Sequence, residues 1–158
     1  MGEIRPGEVA LDQALHDDAP VSFIGVIHSG WTKATCPKSI ARARERGQAA
    51  SIVIKPEFRP GLQGLAAGQP MMLLYWLDRS RRDIILQKPS HVDGPRGVFS
   101  LRSPVRPNPI GLACVTMTAI DHAAGRITID AIDCLDGTPL LDLKPWLATI
   151  DQPSGVRS

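Results

Sequence analysis

The stretch from Ile110 to Leu135 reads I-G-L-A-C-V-T-M-T-A-I-D-H-A-A-G-R-I-T-I-D-A-I-D-C-L, which is two apolar runs joined by a short polar segment. Both runs are rich in β-branched residues and predict strands over Ile110–Ile120 and Arg126–Leu135. The five residues between them end in Gly125, and a loop of this length containing glycine is typical of a hairpin. The stretch therefore predicts an antiparallel β-hairpin.

Working outward, the chain offers more strands than helices. Similar apolar runs predict strands over Val21–His28, Ala50–Lys55, Met71–Leu77, Gly97–Leu101 and Leu140–Leu143. Fourteen glycines and fourteen prolines among 158 residues indicate many turns and argue against a helical bundle. Because closing a sheet removes its unpaired edges, the predicted fold class is mainly β, a single small β-barrel with long functional loops.

Helical structure is expected only in short pieces outside the strands. The spacing of apolar residues over 8–17 predicts a short helix within an N-terminal extension, residues 1–20. A helical turn is expected over Ile40–Arg46, and the glycines and prolines of Pro56–Gly68 allow no more than one turn. Asp78–Arg96 predicts a second long polar loop. The barrel domain is expected to take residues 21–150 and a loose tail residues 151–158.

Composition and motifs exclude several functional classes. No apolar run approaches the roughly 20 residues of a membrane helix. Three cysteines without a C-x-x-C pair argue against a disulfide framework and a thiolate zinc site, and favour a reducing cytoplasm. The histidines lack partners at metal-ligand spacing, so no metal is expected. No glycine-rich dinucleotide or P-loop motif is present, which argues against a Rossmann-type site.

Arginines cluster in three places, and one cluster lies in the first long loop at Arg42, Arg44 and Arg46. With a net charge of +2 and a pI near 8.6, these clusters favour a phosphate-bearing partner. Solvated loops remain the alternative interpretation of each cluster.

A proline-rich segment, which we call the proline arm, runs R-S-P-V-R-P-N-P-I-G over Arg102–Gly111. Its three prolines fix φ and force the preceding residues toward extended geometry. The arm is therefore expected to be stiff and to present Arg102, Arg106 and Asn108 at fixed positions. The alternative is a structural arm whose arginines pair with carboxylates such as those of Asp133 or Asp136.

A second segment, D-C-L-D-G-T-P over Asp133–Pro139, predicts a tight Asp-Gly turn. Such a turn can present Asp136 and its backbone amides to a ligand. An ordinary β-turn with no ligand is the competing interpretation.

Taken together, G-V-F-S-L-R-S-P-V-R-P-N-P-I-G-L (97–112) and D-C-L-D-G-T-P-L-L-D-L-K-P-W-L (133–147) resemble the signature of the TrmO family, also called TsaA-like or YaeB-like. The resemblance extends over about 21–147. It implies an S-adenosylmethionine-dependent methyltransferase built on one β-barrel and acting as a homodimer. Members methylate the N6 nitrogen of N6-threonylcarbamoyladenosine at tRNA position 37, beside the anticodon.

The resemblance also implies which residues would contact S-adenosylmethionine. These are Pro37, Lys38, Ser39, Asp78, Arg79, Arg102, Leu112, Cys134, Leu135, Asp136 and Gly137. This chain has Asp78-Arg79 where the family often has His-Gln. It is expected to represent a short form without the additional C-terminal domain of longer members.

Two residues are candidates for the chemistry itself. The side-chain oxygen of Asn108, together with a backbone carbonyl left open by Pro109, is expected to accept protons from the acceptor nitrogen. Asp133 is the second candidate proton acceptor. Candidate RNA contacts are Arg42, Arg44, Arg46 and Arg106. Two other functions stay open, a methyltransferase on another small molecule or nucleoside and a non-catalytic cofactor- or RNA-binding module.

Overall fold

The computed structural model describes residues 3–155, and these divide into two compact units. We call the first the barrel unit, which comprises residues 22–75 and the chain from 112 onward. The second, called here the insert unit, comprises the chain up to residue 21 and residues 76–111. Each is described by itself.

The barrel unit contains a closed barrel of six antiparallel strands in the order β2-β3-β8-β7-β4-β9. The strands are β2 Gly25–His28, β3 Ala50–Ile54, β4 Pro70–Trp76, β7 Ile110–Asp121, β8 Arg126–Ile129 and β9 Thr138–Pro145. The barrel closes where β2 pairs with β9, Gly25 lying opposite Leu140. The mainly β class and the barrel are thus confirmed, and so is the hairpin, since Asp121 lies opposite Arg126.

The core follows from strict alternation along the strands. On β7, Ala113, Val115 and Met117 are buried while the residues between them are exposed, which is the period of two that places one face inward. Gly25 is required by packing, because a Cβ there would lie 2.4 Å from the carbonyl oxygen of Val53.

The insert unit contains a three-stranded sheet in the order β1-β5-β6. Its strands are β1 Val9–Ala10, β5 Ile84–Gln87 and β6 Arg96–Gly97. The proline arm also belongs to this unit.

The predicted N-terminal helix over 8–17 is wrong. Val9 and Ala10 instead pair with β5, and the amide of Leu11 donates to the Asp83 carbonyl at 2.6 Å. A lone ten-residue helix is marginal in water, so strand pairing beside a buried Ile84 prevails.

Several other boundaries differ from the expectations. The segment predicted as a polar loop over 78–96 contains β5, whose four residues are too short to stand out among charged neighbours. The strand expected over 97–101 is instead a 3₁₀ turn, Val98–Ser100, held by the Ser100 hydroxyl on the Gly97 carbonyl. Strand β2 begins at Gly25 rather than residue 21, and β8 ends at Ile129.

The helical predictions have mixed outcomes. The turn expected over 40–46 is confirmed as helix α1, Ile40–Glu45. A 3₁₀ helix, Pro56–Leu62, is longer than the single turn expected, because proline is tolerated at its first position and Leu62 anchors its end by burial. The expected loose tail begins with the last residue of a short helix, α2 Ala148–Asp151, and its residues 156–158 lie outside the described residues. None of the helices found within 3–155 is long and apolar enough to span a bilayer.

Candidate functional site

In the barrel unit, backbone amides of the turn at 133–137 hold it to the segment 27–31. The amide of Asp136 donates to the carbonyl of Trp31 and that of Gly137 to the carbonyl of Ile27, both at 2.9 Å. Gly137 adopts φ +80°, which favours glycine. The expectation that the Asp136 amide would be open to a ligand is therefore wrong. In contrast, the amide of Leu135 makes no hydrogen bond within residues 3–155 and remains an available donor.

Side chains from the first long loop fasten this turn from the other side. The Ser29 hydroxyl donates to the Cys134 carbonyl at 2.8 Å, and the Trp31 indole N–H donates to the Ile132 carbonyl at 2.9 Å. The Cys36 thiol donates to the Asp133 carbonyl at 3.3 Å. The structure therefore brings together the loop leading to Pro37 and the turn around Cys134, two regions assigned to the same cofactor.

The two thiols here serve as packed donors. Burial raises the pKa of Cys134 to about 12, and burial together with the nearby Asp133 carboxylate raises the pKa of Cys36. Both thiols stay protonated at neutral pH, so neither is an activated nucleophile. Among the described residues, no group of three or more His, Cys, Asp or Glu side chains is placed to hold a metal.

Polar side chains flank the same turn. The Asp136 carboxylate is exposed and accepts from the Gly30 amide at 3.0 Å, with His28 Nδ1 at 3.9 Å. Lys38 is exposed, and its ammonium has no partner in the part of the chain that the structure describes. Ser39 is used as the N-cap of α1, where its hydroxyl accepts from the Arg42 amide.

The three arginines of the first loop differ in how they are used. Arg44 binds the Asp130 carboxylate at 3.1 Å and the Cys114 carbonyl at 2.6 Å. The Arg46 guanidinium donates to a backbone carbonyl and lies 5.3 Å from the centre of a tryptophan ring. Only Arg42 has a guanidinium without a hydrogen bond or ion pair to any described residue. The predicted RNA-binding cluster therefore has one uncommitted member.

The proline arm in the insert unit is anchored through consecutive carbonyls. Those of Pro107, Asn108 and Pro109 accept from Arg82 Nε at 2.7 Å, from the Ile110 amide at 2.7 Å and from the Leu77 amide at 2.8 Å. The carbonyl that proline was expected to leave open is thus already engaged. The side chain of Asn108 is exposed.

The same bonds place Asn108 beside the turn that follows Leu77. That turn carries Asp78 and Arg79, both exposed, which were predicted to contact the cofactor. Within this unit, the structure therefore groups three of the predicted site residues.

The two arginines of the arm behave differently from each other. Arg102 is exposed, as expected. The guanidinium of Arg106, however, turns inward onto the carbonyls of Val98, Leu101 and Ser103 at 3.1–3.2 Å. The expectation that Arg106 is presented outward is wrong, because its donors satisfy backbone carbonyls of residues 98–103, which precede it in the chain.

The last two predicted site residues, Leu112 and Asp133, differ in exposure. Leu112 is 39% exposed on the outer face of β7. Asp133 is half-buried, and its carbonyl takes the Cys36 thiol.

Sequence reasoning missed Trp31 and Arg82. Both hold candidate site segments through carbonyl contacts, Trp31 at Ile132 and Arg82 at Pro107. Trp31 is 7% exposed, and a tryptophan inside a polar Gly- and Thr-rich loop was the available signal.

With this geometry in place, comparison with known proteins identifies the family. Residues 26–152 match the family model described as the tRNA-methyltransferase O N-terminal domain. The chain belongs to this family. Members of the TrmO family with solved structures include TrmO from P. aeruginosa, which superposes with a TM-score of 0.65 at 28% identity, covering 92% of this chain and 62% of that one.

Two relatives carry names that describe a ligand or an activity. A probable S-adenosyl-L-methionine-binding protein, VirR of Rhizobium radiobacter, is 38% identical over 143 residues, covering 90% of this chain and 79% of the relative. A tRNA (adenine(37)-N6)-methyltransferase of Mus musculus is 40% identical over 70 residues, covering 44% of this chain and 16% of the relative.

Proposed function

We propose that this chain is an S-adenosylmethionine-dependent methyltransferase that acts on the N6 nitrogen of N6-threonylcarbamoyladenosine at position 37 of tRNA. The observation that carries the proposal is the fastening of the 133–137 turn to the 29–37 loop in a member of the TrmO family. The names of the Rhizobium and mouse relatives support the cofactor and the acceptor respectively.

The residues around this turn fit the chemistry of S-adenosylmethionine. An adenine edge needs an N–H donor, which the Leu135 amide supplies, whereas the predicted contact Pro37 is buried and offers no exposed face to the adenine ring. The Asp136 carboxylate suits hydroxyl or ammonium donors, and the Lys38 ammonium suits a carboxylate. The cofactor, when bound, supplies an electrophilic methyl group.

For the transfer itself, the protein has to orient the acceptor nitrogen, and the proton that this nitrogen loses once it is methylated passes to water at the exposed Asn108. The acceptor nitrogen is a weak nucleophile because its lone pair is delocalised into the purine. An oxygen that accepts a hydrogen bond from its N–H increases the electron density on nitrogen, and the Asn108 amide oxygen has that role in the proposal. The anchoring of three consecutive arm carbonyls fixes the backbone that carries Asn108, so little ordering is left to occur during reaction.

The RNA is held in part by the uncommitted guanidinium of Arg42. Replacing Arg42 with Ser is expected to lower the slope of log affinity against log salt by about 0.7–0.9, the contribution of about one phosphate contact. The matched variant Arg44→Ser should leave that slope unchanged, because Arg44 is bound to Asp130. Equal slopes for Arg42→Ser and the unmodified protein would contradict the contact.

We also propose that the protein acts as a homodimer in the cytoplasm. The strands β4 and β7 are neighbours in the barrel, and their outer faces carry Met72 and Leu74, which are half-buried, and Leu112, which is 39% exposed. Such an outward apolar surface suits burial against a second copy. Sedimentation equilibrium at micromolar concentration tests this, and a strictly monomeric mass would refute it.

The experiment that tests the reaction is methyl transfer from labelled S-adenosylmethionine to tRNA from cells lacking this protein, followed by nucleoside mass spectrometry. We expect one additional methyl group on threonylcarbamoyladenosine. Asn108→Ala should reduce the rate at saturating cofactor and tRNA by about 100-fold, whereas Gln63→Ala, an exposed amide in the barrel unit, should not. A product methylated elsewhere would replace the proposed acceptor, and cofactor binding without transfer would favour a binding module.

A further inference from the structure

The insert unit contains a cleft of about 510 Å³ that includes Asn108. One wall is the N-terminal segment, residues 11–16 together with Asp18, and the other is formed by Arg82, Pro107 and Asn108. The segment precedes residue 26, where the family match begins, so this wall is a feature of the chain beyond the matched domain. A volume of this size accommodates a modified nucleobase.

The guanidinium of Arg82 is fixed in position in this cleft by two contacts. Its Nε donates to the Pro107 carbonyl at 2.7 Å, and its guanidinium lies 5.4 Å from the centre of the Trp76 ring. The two terminal nitrogens of Arg82 have no hydrogen bond or ion pair with any residue from 3 to 155. A guanidinium fixed at Nε and over a ring, with its terminal groups open, is preorganised for an oxyanion.

The wall formed by the N-terminal segment favours hydrogen-bond donors over anions. Asp12 and Asp18 are exposed, and neither forms an ion pair within the described residues. Carboxylates accept hydrogen bonds from N–H and O–H groups and repel an anion that offers no such donors, as a phosphodiester does. His16 and Gln13 complete the polar lining of this wall. The cleft therefore suits a compact group that has both a carboxylate and hydrogen-bond donors, and suits a phosphate less well.

We propose that this cleft binds the amino-acid side group of the acceptor nucleoside, with Arg82 on its carboxylate and Asp12 and Asp18 on its N–H and O–H donors. The inference rests on the proposed function, since a threonylcarbamoyl group is an acylated amino acid with one carboxylate, ureido N–H groups and a hydroxyl. Because Asn108 lines the same cleft, binding there would bring the modified nitrogen to the arm.

Calorimetry with the full chain tests this with nucleosides alone. N6-threonylcarbamoyladenosine is expected to bind at least tenfold more tightly than its methyl ester, in which the carboxylate charge is removed. Arg82→Gln should reduce that ratio to near one, and Arg82→Lys should leave an intermediate ratio because it keeps the charge without the fork. The control Arg96→Gln, an exposed arginine whose side chain bonds within residues 3–155 only to the carbonyl of Pro95, should keep the full ratio.

Other outcomes overturn the inference. An acid-to-ester ratio near one in the unmodified protein, or a ratio unchanged in a folded Arg82→Gln variant, would exclude the carboxylate contact. Competition by inorganic phosphate at the affinity of the nucleoside would assign the cleft to RNA backbone instead. Binding is measured without methyl transfer, so a protein that discriminates acid from ester but fails to methylate tRNA would refute the proposed reaction and leave the binding site standing.

Discussion

Replacing Trp31 with Phe tests whether the first loop holds the candidate cofactor turn in place. The change removes the indole N–H that donates to the Ile132 carbonyl at 2.9 Å, and leaves that carbonyl without this donor beside a side chain that is 7% exposed. Losing a buried hydrogen-bond partner costs about 1–3 kcal/mol. The smaller ring leaves a cavity and weakens the cation–π contact with Arg46, each costing about 1 kcal/mol.

We therefore expect the free energy of unfolding to fall by about 3–5 kcal/mol, measured by urea denaturation at 25 °C with the slope held constant. S-adenosylmethionine should also bind several-fold more weakly to the folded variant. We expect the loss of cofactor affinity because the Trp31 carbonyl accepts the Asp136 amide, so a shift of residue 31 also displaces the candidate cofactor turn.

The matched control is Trp146→Phe. Trp146 is half-buried, and its indole makes no hydrogen bond to any described residue. The same ring change there should cost less than about 1.5 kcal/mol and leave cofactor affinity unchanged. If the two variants lose equal stability, the indole hydrogen bond does not hold the turn and the reasoning fails.

The remaining predictions concern packing, thiol reactivity and acid stability. Gly25→Ala should destabilise the barrel by about 3 kcal/mol or prevent folding, since its Cβ would meet backbone at 2.4 Å. Gly61→Ala, which has open space around it, should leave the thermal unfolding midpoint unchanged, and equal midpoints for the two variants would refute the packing argument. Iodoacetamide at pH 8 should alkylate the exposed Cys114 and spare Cys134, whose pKa is raised to about 12 by burial, until urea unfolds the protein; early labelling of Cys134 would contradict this. Hydrogen bonding to its arginine neighbour lowers the pKa of Asp83, so the stability it contributes is present above about pH 3.9, its unfolded value, and is lost as the pH falls through the folded pKa. Asp83→Asn should accordingly flatten the fall in melting temperature between about pH 4 and pH 2, and an unchanged acid profile would exclude this carboxylate as a contributor.

Sequence patterns predicted the barrel because its strands carry their own signal. The apolar, β-branched composition of 110–120 and the Gly125 loop are local properties, and the structure keeps both the strand and the hairpin. The N-terminal segment shows the opposite case, because its state depends on pairing with β5, a partner about 75 residues away. Helical spacing within 8–17 contains no information about that partner.

In the candidate site, too, some features were predictable from local sequence and others depended on distant partners. The proline arm and the Asp-Gly turn were found from residue types that restrict the backbone. What those segments do with their donors was not predictable, since Arg106 and the Asp136 amide satisfy carbonyls that only the folded chain brings within reach. The open guanidinium of Arg42 and the open terminal nitrogens of Arg82 were equally unpredictable, because only the folded chain decides which donors find a partner.

The pairing of β2 with β9 constrains how the chain acquires its structure during synthesis. The barrel can close only after Leu140, the partner of Gly25, has been synthesised. More than a hundred residues therefore leave the ribosome while β2 lacks one of its two neighbours. Contacts this distant in sequence form slowly and leave an apolar edge exposed in the meantime. Translation speed and chaperone supply should therefore influence the yield of correctly closed barrel.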